Sequence, residues 1–304
     1  IDWCDTSPSF AVAVRNFSLQ GEGVVSIHHA NSPQNSIELK IPAPPTTVKF
    51  VPRTADQVLV GTLSGLLFLY DKRTSNESPV YQTQRWSSCH YSQIISTIFT
   101  GNRRFISLDA DGSIFTWDLD SFGSCLSKDF LPNSKSQMIR PTCADTNDLG
   151  KVIIGFEDGR VAAYSHSVNK ELELDEICHN SGSITGLSFR QSSRGFRSAL
   201  AVSSIDCTLS IFSGEKKTKE IQLINESFLD CKWRPSSSQN SLTAAPPVLC
   251  ALTSDKKAVL YDIAHDDERS FELPAMGCCT SFSTDGNMLC VGCIDGSYHL
   301  INCP

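Results

Sequence analysis

One unit of about 45 residues recurs along the chain, and this period limits the possible fold more than any other feature. The unit is an apolar segment, a tight polar turn, and a second apolar segment that ends on an aromatic or apolar residue followed by a polar one. Clear copies occupy 57–71, 104–118, 151–165, 198–213, 248–262 and 288–302. Their closing polar residues are spaced by 47, 47, 48, 49 and 40 residues, and a looser copy begins at Phe10.

Most units also carry an apolar segment before the hairpin and a β-like segment after it, such as 46–52 and 80–85 around the first clear copy. Four strands per unit and seven units predict an all-β fold, a seven-bladed β-propeller. The Asp-Gly pairs at 111–112, 158–159 and 295–296 suit two-residue hairpin turns. No segment of ten or more residues has a convincing helical period, so helix is minor. Two β-sandwich domains would not produce this regular spacing and rank far behind.

The blades are predicted at about 1-43, 44-90, 91-132, 133-180, 181-225, 226-274 and 275-304. The last unit stops after its third strand, so its fourth strand must come from elsewhere. Residue 1 already begins an inner strand. We therefore expect the closing strand to lie upstream of Ile1, in a natural chain that is longer at its N-terminus.

The charge balance and hydrophobicity exclude several classes of protein. A net charge of -7 argues against a general nucleic-acid binder, which needs a basic surface. The apolar content of 40% is enough to form a core, but no apolar run approaches the roughly 20 residues that span a bilayer. We expect no nucleic-acid partner and no membrane insertion.

The chain has 13 cysteines, an odd number, which does not suit a disulfide scaffold. Many lie in apolar runs, which favours reduced thiols packed in the core of a cytosolic protein. The one C-x-x-C motif is Cys290 to Cys293, in a predicted strand. Residues three apart on a strand face opposite ways, so we expect no zinc site there.

Motifs for catalysis are missing from the sequence. It contains no G-x-G-x-x-G, no phosphate loop, no G-x-S-x-G and no H-E-x-x-H. An enzyme with its site in a propeller channel would need convergent carboxylates, histidines or metal ligands, and none occur together. We expect a non-enzymatic protein with no cofactor, no catalytic residues and no bound metal.

Residues 109–118, reading DADGSIFTWD, resemble the signature of WD-repeat propellers. That family joins a His, a Ser or Thr, a turn Asp and a Trp in a buried network, which here implies His90, Ser107, Asp111 and Trp117. Buried polar groups need partners, so such a network would hold the blade together. This structural role is preferred over catalysis by His90 and Asp111.

Two longer stretches resemble the dynein intermediate chains. Residues 46–80 match the second blade of that family at Asp71, Arg73, Pro79 and Val80. Residues 228–274 match a later blade; the matching residues are Trp233, Pro235, Asp262, Asp266 or Asp267, Glu268 and Pro274. Departures such as Tyr70 and Tyr261 indicate a divergent member, which leaves open cytoplasmic, axonemal or intraflagellar-transport dynein and mildly favours a ciliary form.

The resemblance implies a non-catalytic scaffold subunit of a dynein motor complex, in microtubule-based transport or ciliary motility. Its propeller would dock on the dynein heavy chain. A segment upstream of this chain would hold the light chains and a second intermediate chain. The implied location is the cytoplasm and cytoskeleton, with the cilium as an alternative. Arg73, Phe122 and Arg197 are loop-proximal candidates for partner binding.

Two other scaffold functions stay open. Residues 70–73, Tyr-Asp-Lys-Arg, approach the W-D-x-R motif of substrate receptors in cullin ubiquitin ligases, in which an Arg makes contacts that a Lys cannot. A coat or nuclear-pore propeller would share the same scaffold physics. The stretches 46–80 and 228–274 favour the dynein family over both.

Overall fold

The computed structural model describes residues 1–15, 21–84, 89–121, 125–131, 140–147, 150–164, 174–192, 197–214, 216–235 and 246–303. Within these ranges the chain is all β apart from one 3-10 turn, Leu119–Ser121. The strands form seven antiparallel sheets in chain order, which confirms the predicted seven-bladed propeller. None of the helical structure described is long and apolar enough to cross a membrane.

Two compact units divide the chain, residues 1–138 and 139–304. The first unit holds blades 1 to 3, each a four-stranded sheet whose strands pair in sequence order. Blade 1 comprises β1 (Asp2–Trp3), β2 (Ser9–Arg15), β3 (Gly23–His29) and β4 (Ser32–Ile41); blade 2 comprises β5 (Pro45–Phe50), β6 (Gln57–Thr62), β7 (Leu67–Asp71) and β8 (Tyr81–Gln82); blade 3 comprises β9 (Ile94–Phe99), β10 (Arg104–Asp109), β11 (Ser113–Asp118) and β12 (Cys125–Phe130).

The second unit holds blades 4 to 7, and the last sheet has three strands in the part of the chain described. Blade 4 comprises β13 (Pro141–Thr146), β14 (Val152–Phe156), β15 (Arg160–Tyr164) and β16 (Leu174–His179); blade 5 comprises β17 (Ile184–Arg190), β18 (Ala199–Ser204), β19 (Thr208–Ser213) and β20 (Lys216–Gln222); blade 6 comprises β21 (Phe228–Trp233), β22 (Val248–Thr253), β23 (Lys257–Asp262) and β24 (Asp267–Glu272); blade 7 comprises β25 (Gly277–Phe282), β26 (Met288–Cys293) and β27 (Tyr298–Asn302).

The hydrophobic core of each unit lies between neighbouring blades. In β6, Val58 and Val60 pack into a cluster with Val25 of blade 1, whereas Leu59 packs with Ile94 of blade 3. Side chains alternate along a strand, so each second strand supplies apolar residues to both of its neighbours. Such strands are buried on both faces and read as continuous apolar runs, which is why the repeat is visible in the sequence.

A polar contact joins the first strands of successive blades inside each unit. Asp2 accepts a 2.8 Å hydrogen bond from the Phe50 amide, and Asp145 accepts one of 2.8 Å from the Phe189 amide. The same arrangement links Ser188 to the Trp233 amide at 3.0 Å and Asp230 to the Thr280 amide at 2.8 Å. In each case the earlier blade accepts and the later blade donates.

The turns between the second and third strands need a residue with positive φ. Gly159 has φ +92°, and a Cβ there would lie 2.1 Å from the carbonyl oxygen of Asn180. A side chain at this position therefore meets both backbone strain and a direct clash. In blades 5 and 6, Cys207 and Lys256 adopt positive φ values of 70° and 56° without being glycine.

Candidate functional site

Four buried side chains of blade 3 form one hydrogen-bonded network. Trp117 Nε1 on β11 lies 2.7 Å from Ser107 Oγ on β10, and the same Oγ lies 2.6 Å from His90 Nε2. His90 Nδ1 lies 3.0 Å from Asp109 Oδ2, at the end of β10. The strands place Ser107 and Trp117, and the segment before β9 brings in His90.

With a neutral imidazole, the donors and acceptors of these groups form one consistent set of bonds. An indole N–H can only donate, so Trp117 donates to Ser107 Oγ. The Ser107 hydroxyl is then free to donate to His90 Nε2, which leaves the proton of the neutral imidazole on Nδ1 to donate to Asp109. The other oxygen of Asp109 accepts the backbone amides of Asp111 and Ser113, at 3.1 and 2.8 Å.

The structure brings together His90, Ser107 and Trp117 but places Asp109, not Asp111, at the end of the network. The prediction for Asp111 is wrong because that residue is at the exposed apex of the turn. Asp109 ends the strand, and its carboxylate reaches both the imidazole and the turn amides. The sequence does contain a signal for Asp109, which lies two residues before Asp111. A short acidic side chain at the start of a turn commonly accepts hydrogen bonds from the amides of that turn.

Ser107, His90 and Asp109 have the donor order of a hydrolase triad, but they are sealed from solvent. The exposed fraction of each of the four residues is at most 1%. A nucleophilic serine must meet a substrate carbonyl beside groups that stabilise an oxyanion. Here the Ser107 oxygen instead accepts the Trp117 indole proton, so the network is a structural one.

Arg73 is held by its own blade. Its Nε and Nη2 donate to the two oxygens of Asp71, at 2.9 and 2.6 Å, and its Nε also lies 3.6 Å from Asp56. The hydrogen bonds from Arg73 lower the pKa of Asp71 to about 2. The guanidinium is 65% exposed, but two of its donors are already used to hold the turn after β7.

The other two partner candidates are not brought into a shared site with Arg73. Arg197 is exposed just before β18, and its side chain makes no hydrogen bond or ion pair with any residue whose placement is described. Phe122 lies outside the described residues. Both stay predictions as partner contacts.

The cysteines are unpaired and many are buried. All 13 are free thiols. Burial raises the pKa of Cys143, Cys231 and Cys290 to about 12, so these thiols stay protonated and unreactive at neutral pH. Across the ranges whose placement is described, no three His, Cys, Asp or Glu side chains are grouped to hold a metal ion.

Three exposed isoleucines form a surface feature that the sequence patterns did not predict. Ile205, Ile224 and Ile294 are exposed in loops of the second unit, and the hairpin pattern gave no weight to an apolar residue inside a turn. An isoleucine directly before a turn aspartate, as at 205–206 and 294–295, is the signal that would have identified two of them.

Comparison with known proteins agrees with this architecture. Over 99% of its length the chain superposes on a chain in the crystal structure of the mitotic checkpoint complex, covering 86% of it with a TM-score of 0.73. At 14% identity this likeness concerns the fold alone. No protein-family model matches the sequence.

The sequence itself is 26% identical, over 221 residues, to the cytoplasmic dynein 1 intermediate chain of Drosophila melanogaster. The chain is therefore similar to a dynein intermediate chain. The match covers 69% of this chain and 32% of that protein, so the chain spans about a third of the relative's length. This similarity and the propeller fold support a non-catalytic scaffold role.

Proposed function

We propose that this chain is the propeller of a dynein motor-complex subunit that docks on the tail of the dynein heavy chain. The observation that carries the proposal is the 26% identity to a cytoplasmic dynein intermediate chain, spread over 221 residues of a propeller. A rigid propeller with several exposed loops suits binding to a large partner. The proposed setting is the cytoplasm, on the microtubule cytoskeleton, with the cilium as the alternative location.

The partners proposed beyond the heavy chain are light chains and a second intermediate chain. They would be held by a segment upstream of residue 1, as the family resemblance implies. The propeller and the upstream segment would then act separately, one on the motor and the other on the light chains. The dynein class, whether cytoplasmic, axonemal or intraflagellar, follows from which heavy chain is bound.

The test is affinity purification of the tagged full-length protein, followed by mass spectrometry. We expect dynein heavy chain among the retained proteins. A version lacking residues 1–304 should lose the heavy chain and keep the light chains. Undiminished recovery of the heavy chain without the propeller would reject the docking role.

The structure gives no advantage to the ubiquitin-ligase alternative. The guanidinium of Arg73, the residue that suggested it, is paired with Asp71 and lies near Asp56 of the same blade. Holding a turn is a sufficient role for an arginine in this geometry. Recovery of a cullin adaptor in place of heavy chain in the same purification would reverse this preference.

A further inference from the structure

One end of blades 5 to 7 carries the exposed apolar side chains of the second unit. Among the residues described there, the large hydrophobic side chains that are exposed are Ile205 at 52%, Ile224 at 87% and Ile294 at 61%. Ile205 and Ile294 lie in the turns between second and third strands, and Ile224 lies in the loop from blade 5 to blade 6. In an antiparallel blade these turns and loops share one end, so the three side chains emerge on the same side of their blades.

Hydrogen bonds connect the loops at this end into a continuous surface. They are Ser227 Oγ to the Ile205 carbonyl (2.8 Å), the Ser254 amide to the Ser227 carbonyl (2.9 Å), the Leu273 amide to the Lys256 carbonyl (2.8 Å) and the Ile294 amide to the Met276 carbonyl (3.0 Å). We name this surface the isoleucine face and define it as residues 204–208, 223–227, 254–257, 272–276 and 293–297.

The isoleucine face is acidic as well as apolar. Its charged residues are Asp206, Glu226, Asp255, Glu272 and Asp295 against Lys256 and Lys257, an excess of three negative charges. Lys257 is already paired with Asp255 at 2.5 Å and lies 3.9 Å from Glu226. A partner for this face therefore needs apolar side chains beside uncompensated positive charge.

Resting on the proposed function, we propose that the isoleucine face binds an amphipathic helix of the heavy-chain tail that carries Lys or Arg beside its apolar stripe. Several amides and carbonyls of these loops are already paired with one another, so side chains carry most of the recognition. A helix suits this because its own backbone is satisfied and it presents side chains at regular spacing. The face holds roughly two dozen residues, the size of one side of a standard stable interface, about 20–30 residues.

The backbone of the face supports the assignment. Glycine supplies the positive φ in the corresponding turns of blades 2, 3, 4 and 7, at Gly65, Gly112, Gly159 and Gly296. In blades 5 and 6 the same position is Cys207 or Lys256, and Asn225 in the intervening loop also has positive φ. Side chains kept in a strained conformation are frequent at ligand contacts. Here they add contact atoms where a glycine would present none.

The decisive variant is Ile205→Ser combined with Ile294→Ser in the full-length protein, purified with the co-expressed heavy-chain tail; serine removes the apolar side chains and leaves the charge of the face unchanged. We expect at least a tenfold loss of affinity, because apolar anchors dominate such interfaces. Leu126→Ser is the matched control, since Leu126 is also 52% exposed but lies on the outermost strand of blade 3. Thermal melting of each variant identifies a loss that comes from unfolding.

The outcomes separate this inference from the function it rests on. If the wild type retains the tail and the double variant binds it within about twofold, the face is wrong and the docking role stands. If the wild type does not retain the tail, the docking role fails, and a synthetic Leu/Lys amphipathic helix tests the face alone. The face is supported if the wild type binds this peptide, the double variant binds it more weakly, and neither binds a Leu/Glu counterpart. It is overturned if the wild type does not bind the Leu/Lys peptide or binds both peptides equally.

Discussion

Asp109→Ala is the substitution that tests the buried network of blade 3 most directly. The change removes the acceptor of the His90 imidazole and of the amides of Asp111 and Ser113. His90 and Ser113 are buried, so two donors lose their partner where water does not reach them. At about 1–3 kcal/mol for each unsatisfied buried group, the expected loss is about 2–6 kcal/mol, since the Asp111 amide can turn to water.

The matched control is Asp111→Ala, two residues away in the same turn. Asp111 is exposed, so its replacement should change the free energy of unfolding by about 0.5 kcal/mol or less. Urea unfolding at neutral pH, followed by circular dichroism, gives both values from the shift in midpoint. Equal losses for the two variants, or a larger loss for Asp111→Ala, would refute the role of Asp109 as the acceptor that ends the network.

Three further predictions concern other parts of the molecule. Gly159→Ala should destabilise the protein by more than about 2 kcal/mol in urea unfolding, whereas Gly214→Ala, at φ +62° with open space around it, should cost about 1 kcal/mol; equal costs would contradict the clash. The low pKa of Asp71, about 2, adds stability that is present above its ordinary pKa of 3.8 and is lost as the pH falls through 2. Arg73→Ala should therefore destabilise the protein at neutral pH, and this loss should disappear as the pH falls below about 2 and Asp71 becomes protonated; a difference that does not vary with pH in acid titration of unfolding would reject this cause. Alkylation of the native protein, followed by peptide mass mapping, should label the adjacent thiols Cys278 and Cys279 before any buried thiol. Their sulfur atoms lie 3.9 Å apart. Early labelling of Cys231 would show that the core opens readily.

The sequence was sufficient to predict the fold because each blade repeats the same physical requirement. A second strand buried on both faces must be apolar throughout, and a tight turn must follow it, so the period of the unit survives even where individual residues diverge. The repeat at 57–71 needs no WD signature to be recognised, and its Val58, Leu59 and Val60 show why: all three are buried, towards different neighbours.

The site was harder to predict because its details depend on side-chain direction and on contacts distant in sequence. Asp109 and Asp111 are both plausible turn acids in the sequence, and only the end of β10 decides which one meets His90, 19 residues earlier. Arg73 looked like a free contact residue because sequence cannot reveal that its guanidinium lies on Asp71. The isoleucine face is assembled from five separate segments, and no single segment looks unusual by itself.

The hydrogen bonds between first strands have a consequence for the order in which the chain is made. In the four bonds described for the fold, the donor follows the acceptor by 48, 44, 45 and 50 residues. The ribosome adds roughly 5–20 residues per second. The donor amide is therefore synthesised about 2–10 s after the carboxylate or hydroxyl that accepts its hydrogen bond. During that interval Asp2, Asp145 and Asp230 can be satisfied by water only while their blade stays partly open. The nascent protein is therefore expected to complete its blades from the N-terminus onward, each one closing when its successor arrives.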